Sequence, residues 1–222
     1  MLSCRILSVL FMCLLSVYST KGQGTFRIKH YTTEHGLANN SVNTVCQDKE
    51  GFLWVGTNYG LSRFDSYDFK NYFNIPLDSN SLNDNIIHSL ACDNKGNIWI
   101  VSQNGVSVRH QFSNNFEKIK FDNSLKQTSV YKVITSKTDV WFLTSSKGLY
   151  IFDTFKKDIV KYNKDESIAN YFRNITVLSI IPTLEGNLWV QSFEKGLIYV
   201  NFNSTQISSF DNRDGINPLT IT

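Results

Sequence analysis

The chain has 222 residues, of which 41% are hydrophobic, 14% aromatic and 18% charged. This composition is typical of a folded protein and excludes a disordered chain, in which hydrophobic residues would be few and charged residues many. The net charge is only +3, and the Lys and Arg residues do not cluster. We therefore expect no direct contact with nucleic acid.

Residues 1–22 have the pattern of a secretory signal peptide. Arg5 precedes an apolar run from Ile6 to Val17, and small or polar residues follow that run. The run is shorter than the about 20 residues that a membrane helix needs, and we find no later apolar segment long enough to predict a membrane span. We predict that residues 23–222 act in the periplasm or another extracytoplasmic compartment. An uncleaved membrane anchor is the alternative.

A tryptophan motif occurs four times after this segment. Trp54, Trp99, Trp141 and Trp189 are separated by 45, 42 and 48 residues, and a glycine follows each of them after six or seven residues. Each copy consists of two short β-rich runs joined by a polar turn, which predicts a β-hairpin. The glycine at the end of the turn supplies the positive φ that such a turn needs.

One more β-rich run lies on either side of each hairpin. Val42 and Val45 stand twelve and nine residues before Trp54, copies two and four repeat this spacing, and a run such as Phe69–Phe73 follows the hairpin. Four strands in a repeat of about 40 to 50 residues indicate a propeller blade. We therefore predict an all-β fold, a β-propeller of four-stranded antiparallel blades. About four blades are expected, at residues 41–73, 86–121, 130–162 and 176–210.

We expect the ring of blades predicted for residues 23–222 to be incomplete, with a closed ring of four blades as the alternative. The run Phe26–Tyr31 resembles a fourth strand without a hairpin before it, and residues 211–219 resemble the linker at residues 33–40. An open arc of blades leaves two apolar faces uncovered, and large uncovered apolar faces are unfavourable in water. We expect the remaining blades of a longer chain, or a second copy of this one, to cover them.

Two cysteines, Cys46 and Cys92, follow the predicted signal peptide and lie on the first strands of the first two repeats. They precede their tryptophans by eight and seven residues. Because side chains alternate along a strand, this spacing predicts that they point to opposite faces. We expect two small buried thiols and no disulfide.

The loop between the second and third strands of each blade should emerge at the same end as the linkers between blades. Amides and aromatic rings suit sugar hydroxyls and the C–H faces of sugars, so we predict a ligand-binding mouth at this end. Its candidate residues are Asn58, Tyr59, Gln103, Asn104, Phe193 and Glu194 in the loops, and His35 and Asn39 in the first linker. The alternative is that these residues are polar only because loops are exposed to water.

No pattern in the sequence indicates catalysis, a cofactor or a metal site. The four histidines are not paired at zinc-ligand spacing, and the sequence has no nucleophile elbow or phosphate loop. Residues 78–84 lack the glycine and the terminal glutamate of a calcium loop, so we expect a turn there. The four tryptophans are predicted to pack in the core rather than to form sugar platforms.

Four segments resemble the two-component regulator propeller repeat: residues 31–37, residues 40–42, residues 48–57 and residues 60–65. The linker at residues 78–86 is similar to that of the family as well. Copies three and four depart from the repeat, because Asp139 replaces the turn glycine and Gln191 with Ser192 replaces a Gly-Thr pair.

This resemblance implies a sensor of the kind found in the hybrid two-component systems of Bacteroidetes. Such proteins have a periplasmic propeller, further blades, an immunoglobulin-like domain, a membrane helix, a histidine kinase and a response regulator. They commonly sense oligosaccharides released from glycans. The resemblance thus implies a non-enzymatic, ligand-binding segment, anchored to the membrane when it is part of a longer protein with histidine kinase activity. Two alternatives remain open: a propeller scaffold that binds other proteins, and a propeller lyase or hydrolase.

Overall fold

The structure is a computed structural model that describes residues 28–121 and 128–210. The predicted signal peptide at residues 1–22 and the linker-like segment at residues 211–219 lie outside the described residues. Ile28–His30 belong to one unit and the residues from Tyr31 onward to a second, compact unit. The predicted strand Phe26–Tyr31 is described only from Ile28, and these described residues are not in a strand.

Sixteen strands in the described residues form four blades, and within each blade the strands pair antiparallel in chain order. The first blade holds β1 (Val42–Gln47), β2 (Leu53–Thr57), β3 (Gly60–Phe64) and β4 (Phe69–Tyr72). The second blade holds β5 (Ile87–Cys92), β6 (Ile98–Ser102), β7 (Gly105–Arg109) and β8 (Phe116–Phe121). The third blade holds β9 (Val130–Thr135), β10 (Val140–Thr144), β11 (Tyr150–Asp153) and β12 (Asp158–Lys161). The fourth blade holds β13 (Val177–Pro182), β14 (Leu188–Ser192), β15 (Gly196–Asn201) and β16 (Gln206–Phe210).

Helical structure in the described residues consists of two short segments, one before the first strand and one between two blades. A 3-10 turn spans Thr33–His35 and the helix α1 spans Glu166–Phe172, between the third and fourth blades. Asp165 caps α1, since its side chain accepts a hydrogen bond from the Ile168 N–H at 3.0 Å. The predicted all-β fold of four-stranded antiparallel blades is confirmed.

The second and third blades are joined into one eight-stranded sheet, which the sequence-based prediction of separate blades did not anticipate. Their outer strands β8 and β12 pair in parallel, with Asp158 opposite Lys120 and Ile159 opposite Phe121. Pairing between outer strands satisfies backbone groups that an edge strand would leave open. The pairing of β8 with β12 depends on the distance between two blades, and the repeat pattern within one strand does not predict that distance.

Each of the first three blades packs one face against the next blade through its tryptophan. Trp54, Trp99 and Trp141 are 0%, 3% and 1% exposed, so the prediction that the tryptophans pack in the core is confirmed for these three. Trp189 is only half-buried. It packs on Tyr199 of its own blade, with ring centroids 4.8 Å apart, and no described blade follows it.

An aspartate closes the first hairpin of blades one and two and binds the tryptophan side chain. Asp48 accepts hydrogen bonds from the Trp54 Nε1–H at 2.7 Å and the Phe52 N–H at 2.9 Å. Asp93 binds Trp99 Nε1 in the same way, at 2.9 Å.

The third blade lacks this aspartate. Ser136 occupies the equivalent position. Its backbone N–H donates to the Asp139 carbonyl, just as the Asp48 N–H donates to the Phe52 carbonyl in the first blade. The buried Nε1 of Trp141 consequently has no hydrogen-bond partner within the part of the chain that the structure describes.

Gly56 marks a close approach between the first two blades. A Cβ atom built at this position would lie 2.6 Å from Ile87 Cγ2 and 2.7 Å from Thr44 Cγ2. We expect Gly56→Val to lower the free energy of unfolding by about 1–3 kcal/mol, because overpacking forces the strands apart. Urea denaturation measures this change. Gly56→Ala should cost less than Gly56→Val, and equal costs for the two variants would contradict a steric cause.

Candidate functional site

The turns between second and third strands lie at the same end of the blades as the linkers into the first strands, as the strand order predicted. In every blade the residue after the second strand donates its backbone N–H to the carbonyl of the residue before the first strand. These bonds are Asn58 to Ser41 at 3.0 Å, Gln103 to Ile86 at 3.0 Å, Ser145 to Ser129 at 2.9 Å and Phe193 to Thr176 at 3.0 Å. We call this end of the blades the loop end.

In the first blade the loop end presents Asn58 and Tyr59. The Asn58 Oδ1 accepts a hydrogen bond from Asn43 Nδ2 at 2.7 Å. The Asn43 Nδ2 also donates to the Ile87 carbonyl of the second blade, at 2.8 Å. Tyr59 is 57% exposed, and one side of its ring packs on Phe73 with centroids 5.8 Å apart. This ring is therefore held in place while much of it remains accessible to a ligand.

The loop of the second blade presents Gln103 and Asn104, and both side chains are exposed. Asn104 Nδ2 donates to Asp84 Oδ2 in the linker before this blade, at 2.5 Å. Asp84 in turn accepts the backbone N–H of Ile86 at 2.8 Å. The linker thus fixes the orientation of the Asn104 amide.

The loops of the third and fourth blades meet through Glu194. Its carboxylate accepts hydrogen bonds from the Thr176 N–H at 2.7 Å and the Thr176 hydroxyl at 2.8 Å, and it forms an ion pair with Lys147 at 3.2 Å. Burial acts to raise the pKa of Glu194, but these hydrogen bonds outweigh it and lower the pKa to about 2. The neighbouring Phe193 is 70% exposed.

Glu194 should make stability depend on pH under acidic conditions. Its pKa is about 2 in the folded state and about 4.3 for an unperturbed glutamate. Its stabilising contribution is therefore complete above the unfolded pKa and is lost as the pH falls from about 5 to about 2. We expect the difference in Tm between the wild type and Glu194→Gln to shrink over this range.

An NMR titration of the Glu194 carboxyl carbon measures this pKa directly. Thr176→Val is the matched variant, because it removes the hydroxyl donor but retains the backbone N–H and the ion pair with Lys147. We expect it to raise the pKa of Glu194. A wild-type midpoint near the ordinary glutamate value of about 4.3 would contradict the prediction.

The two candidates from the first linker lie in different places. His35 contacts Tyr31 at a centroid distance of 6.0 Å, and Tyr31 packs on Phe64 at 4.8 Å. Phe64 ends β3, whereas the loop end is where β3 begins, so His35 sits towards the far end of that strand. Asn39 accepts the Ser41 N–H at 2.8 Å and thus lies next to the loop end.

A row of residues on the first strands was not among the sequence-predicted site residues. Each first strand contains a β-bulge that leaves one residue without a partner on the second strand. These residues are Asn43, His88, Tyr131 and Leu178, and we call them the first-strand row. All four are at least partly exposed.

The first-strand row also connects neighbouring blades. Besides the bond from Asn43 to Ile87, the Tyr131 hydroxyl donates to the Val177 carbonyl at 3.1 Å. A sequence signal for the bulge did exist. The two apolar residues of each first strand stand twelve and nine positions before the tryptophan, or eleven and eight in the third copy. They are three residues apart, and an odd spacing on one strand face requires an inserted residue.

A shallow pocket of about 300 Å³ lies beside α1. Its basic side chains are Lys156, Lys161 and Arg173. Burial and the nearby Arg173 lower the pKa of Lys161. None of the predicted site residues lines this pocket, so we base the candidate site on the loops.

Two further observations concern only residues 28–121 and 128–210. Their His, Cys, Asp and Glu side chains do not converge in any group of three that could hold a metal ion. No helix in these ranges combines the length and the apolar character needed to cross a bilayer.

The fold and the loop end define a β-propeller segment built from repeated four-stranded blades. A family model described as the two-component regulator propeller matches residues 36–59 and 81–104. The chain therefore carries two-component regulator propeller repeats, as its sequence predicted. The matched ranges include the first two loops, with Asn58, Tyr59, Gln103 and Asn104, and the linker residue Asn39.

A histidine kinase of Formosa agariphila, histidine kinase P4, is 40% identical to this chain over 77 residues. The match covers 35% of this chain and 6% of the kinase. The similarity is therefore local and involves a small part of a much longer protein.

Solved structures share the fold. The extracellular domain of a hybrid two-component system from B. thetaiotaomicron has a TM-score of 0.65 at 24% identity, covering 82% of this chain and 26% of that one. The extracellular domain of a one-component system from the same organism has a TM-score of 0.63 at 17% identity, covering 86% and 28%. Virginiamycin B lyase from Staphylococcus aureus has a TM-score of 0.58 at 16% identity, covering 85% and 61%. This chain thus spans about a quarter of the two extracellular domains.

Proposed function

We propose that this chain is part of the extracytoplasmic sensing region of a two-component regulator and binds a ligand at its loop end. The observation that carries the proposal is the backbone hydrogen bond repeated in all four blades, which holds each loop against its linker. Exposed amides and aromatic rings are thereby presented from neighbouring blades on one end of the molecule. The extracytoplasmic location is supported by the predicted signal peptide and by the extracellular domains with the same fold.

The ligand class that we propose is oligosaccharides released from glycans. Tyr59 and Phe193 expose 57% and 70% of their surface, and such rings stack on the C–H faces of sugars. Gln103 and Asn104 carry amides that can donate to and accept from hydroxyl groups. The hydrogen bonds between Asn104 and Asp84 and between Asn58 and Asn43 already restrict these side chains. They therefore reduce the entropy that the side chains would lose on binding.

We propose binding without turnover. Glu194 is the acidic residue among the predicted loop candidates, and its carboxylate is engaged by Thr176 and Lys147. With its pKa lowered to about 2, it is a poor general acid and a weak general base at neutral pH. If the chain is the front of a longer protein, the kinase activity belongs to the rest of that protein.

Calorimetric binding to a panel of plant and host oligosaccharides tests this proposal. Tyr59→Ala and Phe193→Ala should each weaken the binding of a recognised sugar roughly 3- to 10-fold, which corresponds to about 0.6–1.4 kcal/mol. Tyr67→Ala and Phe155→Ala are matched controls. These side chains are exposed in the turns between third and fourth strands, at the far end of their blades.

The bound sugar should be recovered unchanged after the titration. Turnover would instead support a lyase or hydrolase, and capture of a protein without affinity for any glycan would support a scaffold. Equal losses in the loop variants and in the controls at the far end would overturn the proposed site.

A further inference from the structure

Cys46 and Cys92 lie on the two blade faces that meet between the first and second blades. In the ladder between β1 and β2, Cys46 is directly opposite Trp54, and in the ladder between β5 and β6, Cys92 is directly opposite Ile98. Directly opposite residues share one face of a sheet. Trp54 and Ile98 belong to the same apolar core, and both cysteines pack against it.

The two cysteines therefore point to opposite faces of their blades, as the sequence predicted, and both are free thiols in this structure. Adjacent blades pack front to back. The forward face of the first blade thus meets the backward face of the second, and opposite orientations bring the two thiols together instead of keeping them apart.

The register along the strands also places the two residues side by side. The Leu90 N–H of β5 donates to the Thr44 hydroxyl of β1 at 3.2 Å. Both strands are the first of their blades and run in the same direction. Two residues further along each strand stand Cys92 and Cys46, which places the two thiols close to each other.

This arrangement also affects the reactivity of the pair. The hydrogen bond to Cys92, burial, and the negative charges that Cys92 and Asp48 can carry all raise the pKa of Cys46. Since the thiolate is the reactive form, the folded pair should react slowly, and its oxidation needs a disulfide oxidant that accepts two electrons.

We propose that Cys46 and Cys92 form a disulfide that covalently joins the first two blades when the chain meets a disulfide oxidant. The oxidant is a thiol–disulfide oxidoreductase in its disulfide form or a small disulfide such as oxidised glutathione. One cysteine attacks a sulfur of the oxidant as a thiolate, forms a mixed disulfide and displaces one thiolate. The other cysteine then attacks the sulfur of the first cysteine in this mixed disulfide and displaces the second thiolate. The two displaced thiolates take up the two protons that the cysteines lose, so the oxidant is released as two thiols.

This inference goes beyond the proposed function and rests on it only for the compartment, since disulfides persist outside the cytoplasm. The two cysteines are 46 residues apart in the chain. A bond between them would close a loop that contains most of the first blade and the first strand of the second. Such a loop restricts the unfolded chain, so oxidation should raise the Tm.

The test uses the chain with Cys4→Ser and Cys13→Ser, so that only the proposed pair can react. The folded protein is incubated with oxidised glutathione, blocked with N-ethylmaleimide and digested without reductant. We expect one peptide pair linked through Cys46 and Cys92, and maleimide uptake only after reduction. The oxidised form should melt roughly 5–15 °C above the reduced form.

Cys46→Ser and Cys92→Ser serve as controls and should melt at the same temperature with and without oxidised glutathione. Two thiols that remain open to alkylation after long oxidation would overturn the proposal, and so would linkage only between separate molecules. Because the readout concerns thiols and not ligands, a failure to bind glycans would leave this result unaffected.

Discussion

Trp54→Ala is expected to lower the free energy of unfolding by about 3–5 kcal/mol, the range for removal of a fully buried large aromatic side chain. The Trp54 side chain is 0% exposed. Its ring stacks on Tyr72 with centroids 5.7 Å apart. The guanidinium carbon of Arg109, in the second blade, lies over the Trp54 ring, 4.9 Å from its centroid. The substitution would open a cavity between two blades and leave the Asp48 carboxylate without the indole donor.

Trp189→Ala is the matched variant, because Trp189 occupies the same repeat position on the fourth blade. It is half-buried and packs on Tyr199 and Phe210 of its own blade, so we expect a cost of only about 1–2 kcal/mol. Urea denaturation of both variants at unchanged m-values measures the difference. Equal costs would contradict the prediction. If the cost at Trp189 rises with protein concentration, a second copy covers that face.

The repeated features of the fold could be predicted because every blade places the same residue types in the same environment. Trp54, Trp99 and Trp141 all fill a gap between two blades, so a tryptophan is repeated at each of these positions. The positions of the loops followed from strand order alone. In contrast, the pairing of β8 with β12 depends on the angle between two blades, and no local pattern reports that angle.

The candidate site was predictable in its loops and not in its other parts. Asn58 and Asn104 lie where the hairpin reading placed them, but their partners Asn43 and Asp84 come from other segments of the chain. His35 was assigned to the mouth because it lies in the linker that leads to the loop end. A linker starts at the far end of a blade, however, and the sequence does not show where along the linker the chain reaches the loop end. The proximity of Cys46 to Cys92 was missed because each strand was considered without its neighbouring blade.

Asp48→Ala is expected to lower the free energy of unfolding by about 2–4 kcal/mol, because hydrogen bonds to charged groups contribute about 1.5–3 kcal/mol and buried donors without partners add to the loss. Asp48 is 8% exposed. Its Oδ1 accepts the N–H groups of Glu50 and Phe52, and its Oδ2 accepts the Trp54 indole. The substitution therefore removes acceptors from the turn and from the core at once.

A double-mutant cycle with Trp54→Phe separates these two effects. Phenylalanine has no indole N–H, so Asp48→Ala should cost about 1–2 kcal/mol less in the Trp54→Phe protein than in the wild type. Trp141→Phe is the control, since Trp141 Nε1 has no hydrogen-bond partner among the residues that the structure describes. It should cost less than Trp54→Phe. A coupling near zero between Asp48 and Trp54 would mean that the carboxylate stabilises only the turn, and the aspartate at this position would then have no role in packing the blades.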